Sequence, residues 1–242
     1  MKLYKLTAKD GTTYKNSTSW GEGITHTKSH KDNPRLCSID VLHAYDSLSL
    51  AFLLNPIHAD ITQPRVFEAE GDVAARDWGK VGCFQLTTTK EISPPWWVGH
   101  AMEKQVRVLF AALCAEQVEP LYAAEFPGDR SVKEVVEAIK SMALSGDFSP
   151  AAYAAEGAYM AAKAAKAAYM AAYAAEGAYI AAKAAEAAYA AAQAAHAAAQ
   201  GAMEEEAARA ARAAADAKSP TTSFSSIADR APEVLRTQMN QP

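Results

Sequence analysis

The sequence AAYAAEGAYMAAKAAKAAYM, at residues 151–170, is repeated almost letter for letter at residues 171–190 as AAYAAEGAYIAAKAAEAAYA. Of the 67 residues from position 151 to position 217, 39 are alanine. Because alanine has the highest helix propensity, this composition predicts a long helical region. We call residues 149–218 the array. They open on a serine followed by a proline, as many helices do.

The residues other than alanine recur in the array with steps of three, three and four. Ten residues in three turns is about 3.3 residues per turn, below the 3.5 of a heptad coiled coil. On a straight α-helix the tyrosines would therefore spiral around the axis. One long helix with a winding stripe, a solenoid, and a helical hairpin or bundle broken at Gly157, Gly177 and Gly201 remain open. Helix propensity argues against the solenoid.

Six of the ten tyrosines of the chain lie in the array. Their rings supply most of the buriable area there, because alanine side chains are small. A solvated spacer is one interpretation of such a region, and a surface for assembly or partner binding is the other. We expect the second, with the contacts made by Tyr153, Tyr159, Tyr169, Tyr173, Tyr179 and Tyr189.

Composition excludes several classes of protein. The formal net charge is -4, so nothing indicates the basic surface that nucleic-acid binding requires. No run of 18 apolar residues lacks charges, which argues against a membrane span. The three cysteines, Cys37, Cys83 and Cys114, do not form a disulfide framework. The opening MKLYKLTAKDG has no apolar stretch typical of a signal peptide. We therefore expect a protein of a reducing cytoplasm that is not secreted through a signal peptide.

The first 95 residues predict a compact α+β domain, the head. Residues 2–6 and 12–14 predict a hairpin about the turn at Asp10-Gly11, and residues 16–33 predict a long loop. Strands are expected within residues 36–45, at 66–70, where Gly71-Asp72 would end the strand, and at 80–89. Residues 47–54 predict a helix that stops before Asn55-Pro56, because the residue before proline avoids helical conformation.

Two helices are predicted between the head and the array, in residues 96–148. The first carries an apolar stripe at helical spacing, formed by Met102, Val106, Leu109, Phe110, Leu113 and Cys114. Ser131 and Glu134 form a capping-box pattern that opens the second helix, and Gly146 ends it. Residues 219–242 predict a tail with a short docking helix near residues 227–235. The predicted class is α+β, followed by helices and a long alanine-rich helical region.

Two groups of residues are candidates for chemistry in the head. His26, Tyr45 and the strand glutamates Glu68 and Glu70 occur in an order that resembles the ADP-ribosyltransferase-like arrangement. That resemblance implies a histidine on the nicotinamide ribose and a glutamate at the reacting carbon. Imidazoles and a thiol are also zinc ligands, and the candidate set is His26, Cys37, His43 and His58. Their spacing matches no strong zinc pattern, so we predict no metal and no cofactor.

Several short segments resemble an uncharacterised family of phage and bacterial proteins. They are the strings LCS at residues 36–38, LHAY at 42–45, LLNPIHA at 53–59, KVGC at 80–83, and LT and EI at 86–87 and 91–92. Members of that family pair a compact N-terminal domain with helices and an alanine-rich array. The resemblance implies a phage or mobile-element accessory protein, located in the bacterial host cytoplasm or in a virion, and it implies no particular reaction.

We therefore expect a phage-associated structural or interaction protein. The sequence favours a protein without enzymatic activity over an enzyme. It would form homo-oligomers or bind a phage or host protein through the array. The alternatives are a head of the ADP-ribosyltransferase type, a head that binds a small ligand, and a zinc-stabilised binding module.

Overall fold

The computed structural model describes residues 1–13, 18–36, 38–77, 79–125, 127–148, 190, 209, 212, 214 and 225–239. The chain divides into two compact units. Unit 1 comprises residues 1–98 and 223–229, and unit 2 comprises residues 99–222 and 230–242. Strands and helices together confirm the α+β class. The predicted helical array lies outside the described residues, apart from isolated positions.

A small barrel-like sheet forms the centre of unit 1. Its strands are β1 (Leu3–Thr7), β4 (Thr25–Thr27), β5 (Leu42–Tyr45), β6 (Arg65–Arg76) and β7 (Lys80–Ile92). All of the strand pairs are antiparallel. β1 lies between β5 and β6, and β7 pairs with both β5 and β6, so these four strands close into a ring. β4 extends the sheet beside the second half of β7.

Closure requires the two longest strands to bend. Residues 65–76 were expected to break at Gly71-Asp72, and that prediction was wrong because β6 continues to Arg76. The register between β6 and β7 shifts on either side of Val73, as it does at β-bulges. A Cβ at Gly71 would lie 2.7 Å from the carbonyl oxygen of Gln85. Gly71 therefore allows the two bent backbones to approach each other closely. The sequence pattern had indicated a strand end at this glycine.

The barrel is filled by apolar side chains from every strand of the ring. Residues two apart on a strand share a face, and the inward faces meet in one buried cluster. Its members are Leu3, Trp20, Leu42, Ala44, Ala69, Val81, Cys83 and Leu86. Burial of this apolar surface is the main favourable term in folding unit 1.

Helix α1 (Leu48–His58) follows β5. Its predicted end before Asn55-Pro56 was wrong, since Pro56 lies within the last turn. Asn55 organises the helix end instead: its backbone carbonyl accepts the N–H groups of Ala59 and Asp60. Its side chain both donates to the carbonyl and accepts from the N–H of Ile61, at 2.9 and 3.1 Å. These bonds offset the conformational restriction that proline places on Asn55.

The polar segment after β1 is more ordered than its composition indicated. The predicted pairing of residues 12–14 with β1 was wrong: β2 (Thr12–Thr13) pairs with β3 (Thr18–Ser19). Residues 16–33, expected to be a loop, contain both β3 and β4. Gly11 has a φ of +83°, and the N–H of Trp20 donates to its carbonyl over 2.8 Å. This contact brings Trp20 back towards the barrel.

The described part of unit 2 contains the two predicted helices, α2 (Glu103–Glu125) and α3 (Ser131–Ser145). Five residues of the predicted stripe, Val106, Leu109, Phe110, Leu113 and Cys114, are buried, but Met102 precedes α2 and is half-buried. Every residue from Val106 to Ala115 is buried, so the prediction of a single buried face was wrong. The capping box was wrong: Arg130 is the N-cap of α3 and forms no side-chain cap bond. Gly146 ends α3 in the left-handed conformation, with a φ of 70°, as predicted.

A further helix, α4 (Ser225–Met239), confirms the helix expected near residues 227–235. Its first residues belong to unit 1. There Asp229 accepts a hydrogen bond from the Ser47 hydroxyl at 2.8 Å, and Ser225 donates to Asp46. Ile227 and Ala228 are buried. Within the described residues, no helix combines the length and apolar character needed to cross a membrane.

Candidate functional site

The ring of strands is weakest between β1 and β5. β1 pairs with β6 over five residues, but it meets β5 at the single pair Tyr4 and Tyr45. Beside that pair, the Lys5 ammonium donates to the backbone carbonyl of His43 over 2.9 Å. A side chain thus satisfies a strand carbonyl at the place where the ladder is shortest. We call this place the seam.

Lys5 is a cation within the barrel core. It lies two residues from Leu3, on the inward face of β1, and is 8% exposed. Its Nζ lies 4.8 Å from the centroid of the Trp20 ring, at the distance of a cation–π contact. Burial, with a smaller contribution from the neighbouring ammonium of Lys80, lowers the pKa of Lys5 to about 8. The amine is therefore easier to deprotonate than an ordinary lysine.

Ring and backbone contacts fix the position of Trp20 over Lys5. The indole N–H donates to the Thr13 hydroxyl over 3.2 Å. The His26 ring packs against the indole edge-to-face, with centroids 4.6 Å apart. His26 Nε2 is in turn 2.8 Å from the carbonyl oxygen of Ser19. The β2–β3 segment and β4 thus hold the aromatic wall of the seam in one orientation.

The surroundings of His43 are also positive. Burial, together with the positive charges of Lys80, Lys5 and Lys28, lowers the pKa of His43 to about 3. The imidazole is therefore neutral at pH 7. Lys80 is itself buried, with 5% of its surface exposed. Lys5, His43 and Lys80 all lie where β1, β5 and β7 meet, with Lys5 on the core face of the sheet. His43 and Lys80 are each adjacent to a core residue on their strands and therefore lie on the opposite face.

Cys83 lies in the same core and is not an activated nucleophile. Burial, and to a smaller extent the charge of Asp72, raises the pKa of its thiol to about 11, against partial decreases from Lys5 and Arg76. The group is therefore a protonated thiol at neutral pH, whereas nucleophilic cysteines have lowered pKa values. The seam thus holds a buried ammonium and an aromatic face, and its geometry does not favour covalent catalysis by Cys83.

The structure does not gather the residues of the ADP-ribosyltransferase-like arrangement. His26 contacts Trp20 on the core side of the sheet. Tyr45 is adjacent to Ala44, whose side chain is in the core, so Tyr45 lies on the opposite face. Its hydroxyl is 3.4 Å from His58 Nδ1 on α1.

The two glutamates of that arrangement lie apart from His26 as well. Glu68 pairs across the ladder with Tyr4 and forms an ion pair with Lys2, with N and O 2.5 Å apart. Glu70 is exposed and pairs with Thr87. The faces of the sheet therefore separate His26 from Tyr45 and Glu68, and the set of residues does not form one cleft.

The zinc candidates are similarly dispersed. Among the described residues, no group of three or more histidine, cysteine or acidic side chains is placed to hold a metal ion. His43 is on β5, His58 stacks on Tyr45, and His26 contacts Trp20. Cys37 lies outside the described residues. So do the array tyrosines, Tyr153, Tyr159, Tyr169, Tyr173, Tyr179 and Tyr189.

Sequence reasoning did not find Lys5 or Trp20. In the string LYKLT, residues 3–7, Lys5 shares a face with Leu3, but a lysine is rarely buried, so a core position was not expected for it. Four of the five residues of β1 are buried, including Lys5. The available signal was an isolated lysine in a short, otherwise apolar strand of a closed sheet.

Comparison of the chain with protein-family models, with curated proteins and with solved structures found no match. The candidate site therefore rests on the geometry of its own residues.

Proposed function

We propose that this protein is a phage-associated structural or interaction protein whose array forms antiparallel helices that mediate assembly or partner binding. The alanine content of the array favours helix formation, and its six regularly spaced tyrosines favour recognition of a partner. The phage association rests on the family resemblance of the segments within residues 36–92. The described structure adds contacts that join the helices on either side of the array.

The observation that carries the fold-back is the position of Glu116 on α2. One of its carboxylate oxygens is 2.5 Å from the Lys140 ammonium on α3, nine residues before the array. The other is 3.8 Å from the guanidinium of Arg230 on α4. All three residues belong to unit 2. The segments that precede and follow the array are therefore tied to the same side chain.

These ion pairs limit the distance between the ends of the array. A straight helix over residues 151–217 would be about 100 Å long at 1.5 Å per residue. Allowing full extension of the side chains at Glu116 and of all connecting residues that are not in α3 or α4, positions 151 and 217 can be at most about 85 Å apart. A single straight helix between them would exceed this limit, so these contacts support the hairpin or bundle over the single helix.

In a folded-back array, the repeated glycines, alanines and tyrosines would each contribute to helix packing. Gly157, Gly177 and Gly201 supply positions where helices can end in the left-handed conformation. Alanine faces allow helices to approach closely, and the tyrosines then determine which surfaces fit together. We expect the surface so formed to join copies of this chain or to bind a phage or host protein.

Sedimentation velocity over a wide range of protein concentration tests this proposal. The wild-type chain should associate as the concentration rises. A variant with Tyr153, Tyr159, Tyr169, Tyr173, Tyr179 and Tyr189 all replaced by alanine should remain monomeric. Alanine preserves helix propensity, so circular dichroism should show unchanged helix content.

The matched control replaces Lys163, Lys166 and Lys183 by glutamine. These positions are also regularly spaced in the array, but their replacement removes no aromatic surface. It should associate as the wild type does. A wild-type chain that sediments as a monomer at every concentration, and that recovers no phage or host protein through its tyrosines, would overturn the proposal.

A further inference from the structure

We propose that α2 is the docking surface for the array within the same chain, and that the alanine-rich helices cover the faces of α2 that α3 leaves free. α2 is then an internal partner of the array, in addition to the copies or proteins that the array tyrosines bind. This assignment rests on a helical array, as the proposed function does, but it does not require copies of the chain to associate.

Burial of α2 on every side is the first argument. Every residue from Val106 to Ala115 is buried, and none of them is more than 4% exposed. Ten residues make almost three turns of helix, so their side chains point in every direction around the helix axis. A helix that is buried all round lies inside a bundle or a core and not at a surface.

α3 accounts for one of these faces. Among the described helices and strands, α3 is the one that packs along α2. The amide of Gln105 donates to the carbonyl of Ala143 on α3 over 3.0 Å. Glu116 forms an ion pair with Lys140, also on α3. Gln105 and Glu116 are about three turns apart and therefore lie on the same face of α2, the face towards α3.

The face of α2 opposite α3 carries Phe110, Ala111 and Cys114, as the helical period places them. All three are 0% exposed. α3 does not reach this face, because a helix packed on one side covers a stripe only about 100° wide. Another part of the chain therefore buries it, and a single copy of the chain is sufficient to do so.

The described positions of the array support the array as that covering part. Ala190 and Ala214 are helical and buried, with 6% and 0% of their surfaces exposed. Arg209 and Arg212 are helical and exposed. At 100° per residue, Ala214 lies on the side opposite both arginines, so these positions form a buried alanine side and a solvated charged side. They belong to the same compact unit as α2.

The small side chain of alanine suits this contact. Packed helices lie about 8–10 Å apart, at a distance set by the side chains between them. α2 contributes large apolar side chains on several faces, among them Val106, Leu109, Phe110 and Leu113. Helices that are mostly alanine complement such a helix, because small residues facing large ones fill the space between two axes with few voids.

Chemical modification of the Cys114 thiol in the full chain tests this docking. In a Cys37→Ser background, a maleimide should modify Cys114 slowly, because the thiol is buried. Ala214→Glu places a charge on the buried side of the array and should accelerate this modification about tenfold or more by opening the contact locally. Arg212→Glu, on the exposed side, should leave the rate unchanged. Cys83, in the barrel core, is the internal reference, because its rate should respond to neither variant.

Photo-cross-linking decides the matter if Ala214→Glu unfolds the whole chain, which equal acceleration at Cys83 would reveal. The photoreactive residue p-benzoylphenylalanine in place of Phe110 should join α2 to residues 151–217 of the same chain, in a product of monomer mass. In place of Leu109, on the face towards α3, it should join α2 to residues 131–145.

Cross-links from position 110 to a second copy, or to any other segment of the chain, would overturn the docking of the array on α2. An unchanged rate at Cys114 in a folded Ala214→Glu variant would overturn it as well. Failure of this docking would leave the association of copies, which sedimentation measures, unaffected.

Discussion

At the scale of single residues, Lys5 is the most informative position. Its ammonium donates a hydrogen bond to the carbonyl of His43 and so joins β1 to β5 at the seam. Because the group is buried, its positive charge also lowers the stability of the folded state. A lysine whose pKa is lowered on folding makes the native state less stable wherever the amine has to be protonated. The residue therefore couples stability to pH.

We expect the free energy of unfolding to rise with pH between about 8 and 10.5. The pKa of Lys5 is about 8 in the folded chain and 10.5 in an ordinary lysine, so the unfolded chain binds more protons in this range. The difference corresponds to about 3 kcal/mol. Urea unfolding at several pH values checks it: Lys5→Met should lose this component of the slope, and Lys9→Met should keep it. Equal slopes in the two variants would contradict the burial of a charged amine.

A second residue, Gly71, determines how closely β6 approaches β7. Gly71→Ala should lower the free energy of unfolding by about 2–3 kcal/mol, because its Cβ would lie 2.7 Å from a backbone oxygen and 2.9 Å from the Cys83 sulfur. Gly21→Ala is the matched control. Its Cβ would meet only the Ile24 side chain, at an ordinary 3.7 Å. Chemical denaturation of both variants decides the matter, and similar costs would argue against a tight contact at Gly71.

At the scale of elements, the start of α1 and the start of α4 interact within unit 1. The Ser47 hydroxyl accepts the N–H of Leu50 as the N-cap of α1 and donates to the carboxylate of Asp229. Ser47 is 3% exposed, so both bonds are shielded from water. A single hydroxyl therefore stabilises a helix end and a contact between residues 182 positions apart.

A double-mutant cycle of Ser47→Ala and Asp229→Ala should give a coupling energy of about 1–2 kcal/mol, as for a hydrogen bond to a charged group. Ser47→Ala alone should be the more costly change, because it also removes the cap. Glu233→Ala, on an exposed part of α4, should show no coupling with Ser47→Ala. Additive effects of Ser47→Ala and Asp229→Ala, measured by urea unfolding, would mean that the bond contributes nothing.

At the scale of the whole molecule, the joint contact of Lys140 and Arg230 with Glu116 has consequences for the array. Spin labels at Ala151→Cys and Ala217→Cys, in a Cys37→Ser background, should be separated by about 20–40 Å if the array folds back as packed helices. The native Cys83 and Cys114 are buried and should not label. Pulsed electron–electron double resonance measures the distance between the two spin labels. A value of about 100 Å would indicate one straight helix instead.

The sequence by itself determined those features that depend on neighbouring residues. The α+β class, β7, the presence of α2 and the end of α3 at Gly146 follow from periodicity and capping preferences. Such signals are local because each residue's preference acts through the backbone within about one turn or one pleat.

Tertiary structure alone decided the features that depend on distant segments. Closure of the barrel turned Gly71 from a predicted strand end into a bend, and it enclosed Lys5 in the core. Asn55 kept α1 helical through Pro56 by bonding to Ile61. Residues 225–229 joined unit 1 from the far end of the chain. No local pattern encodes these partners, since each contact depends on where the chain places residues that are remote in sequence.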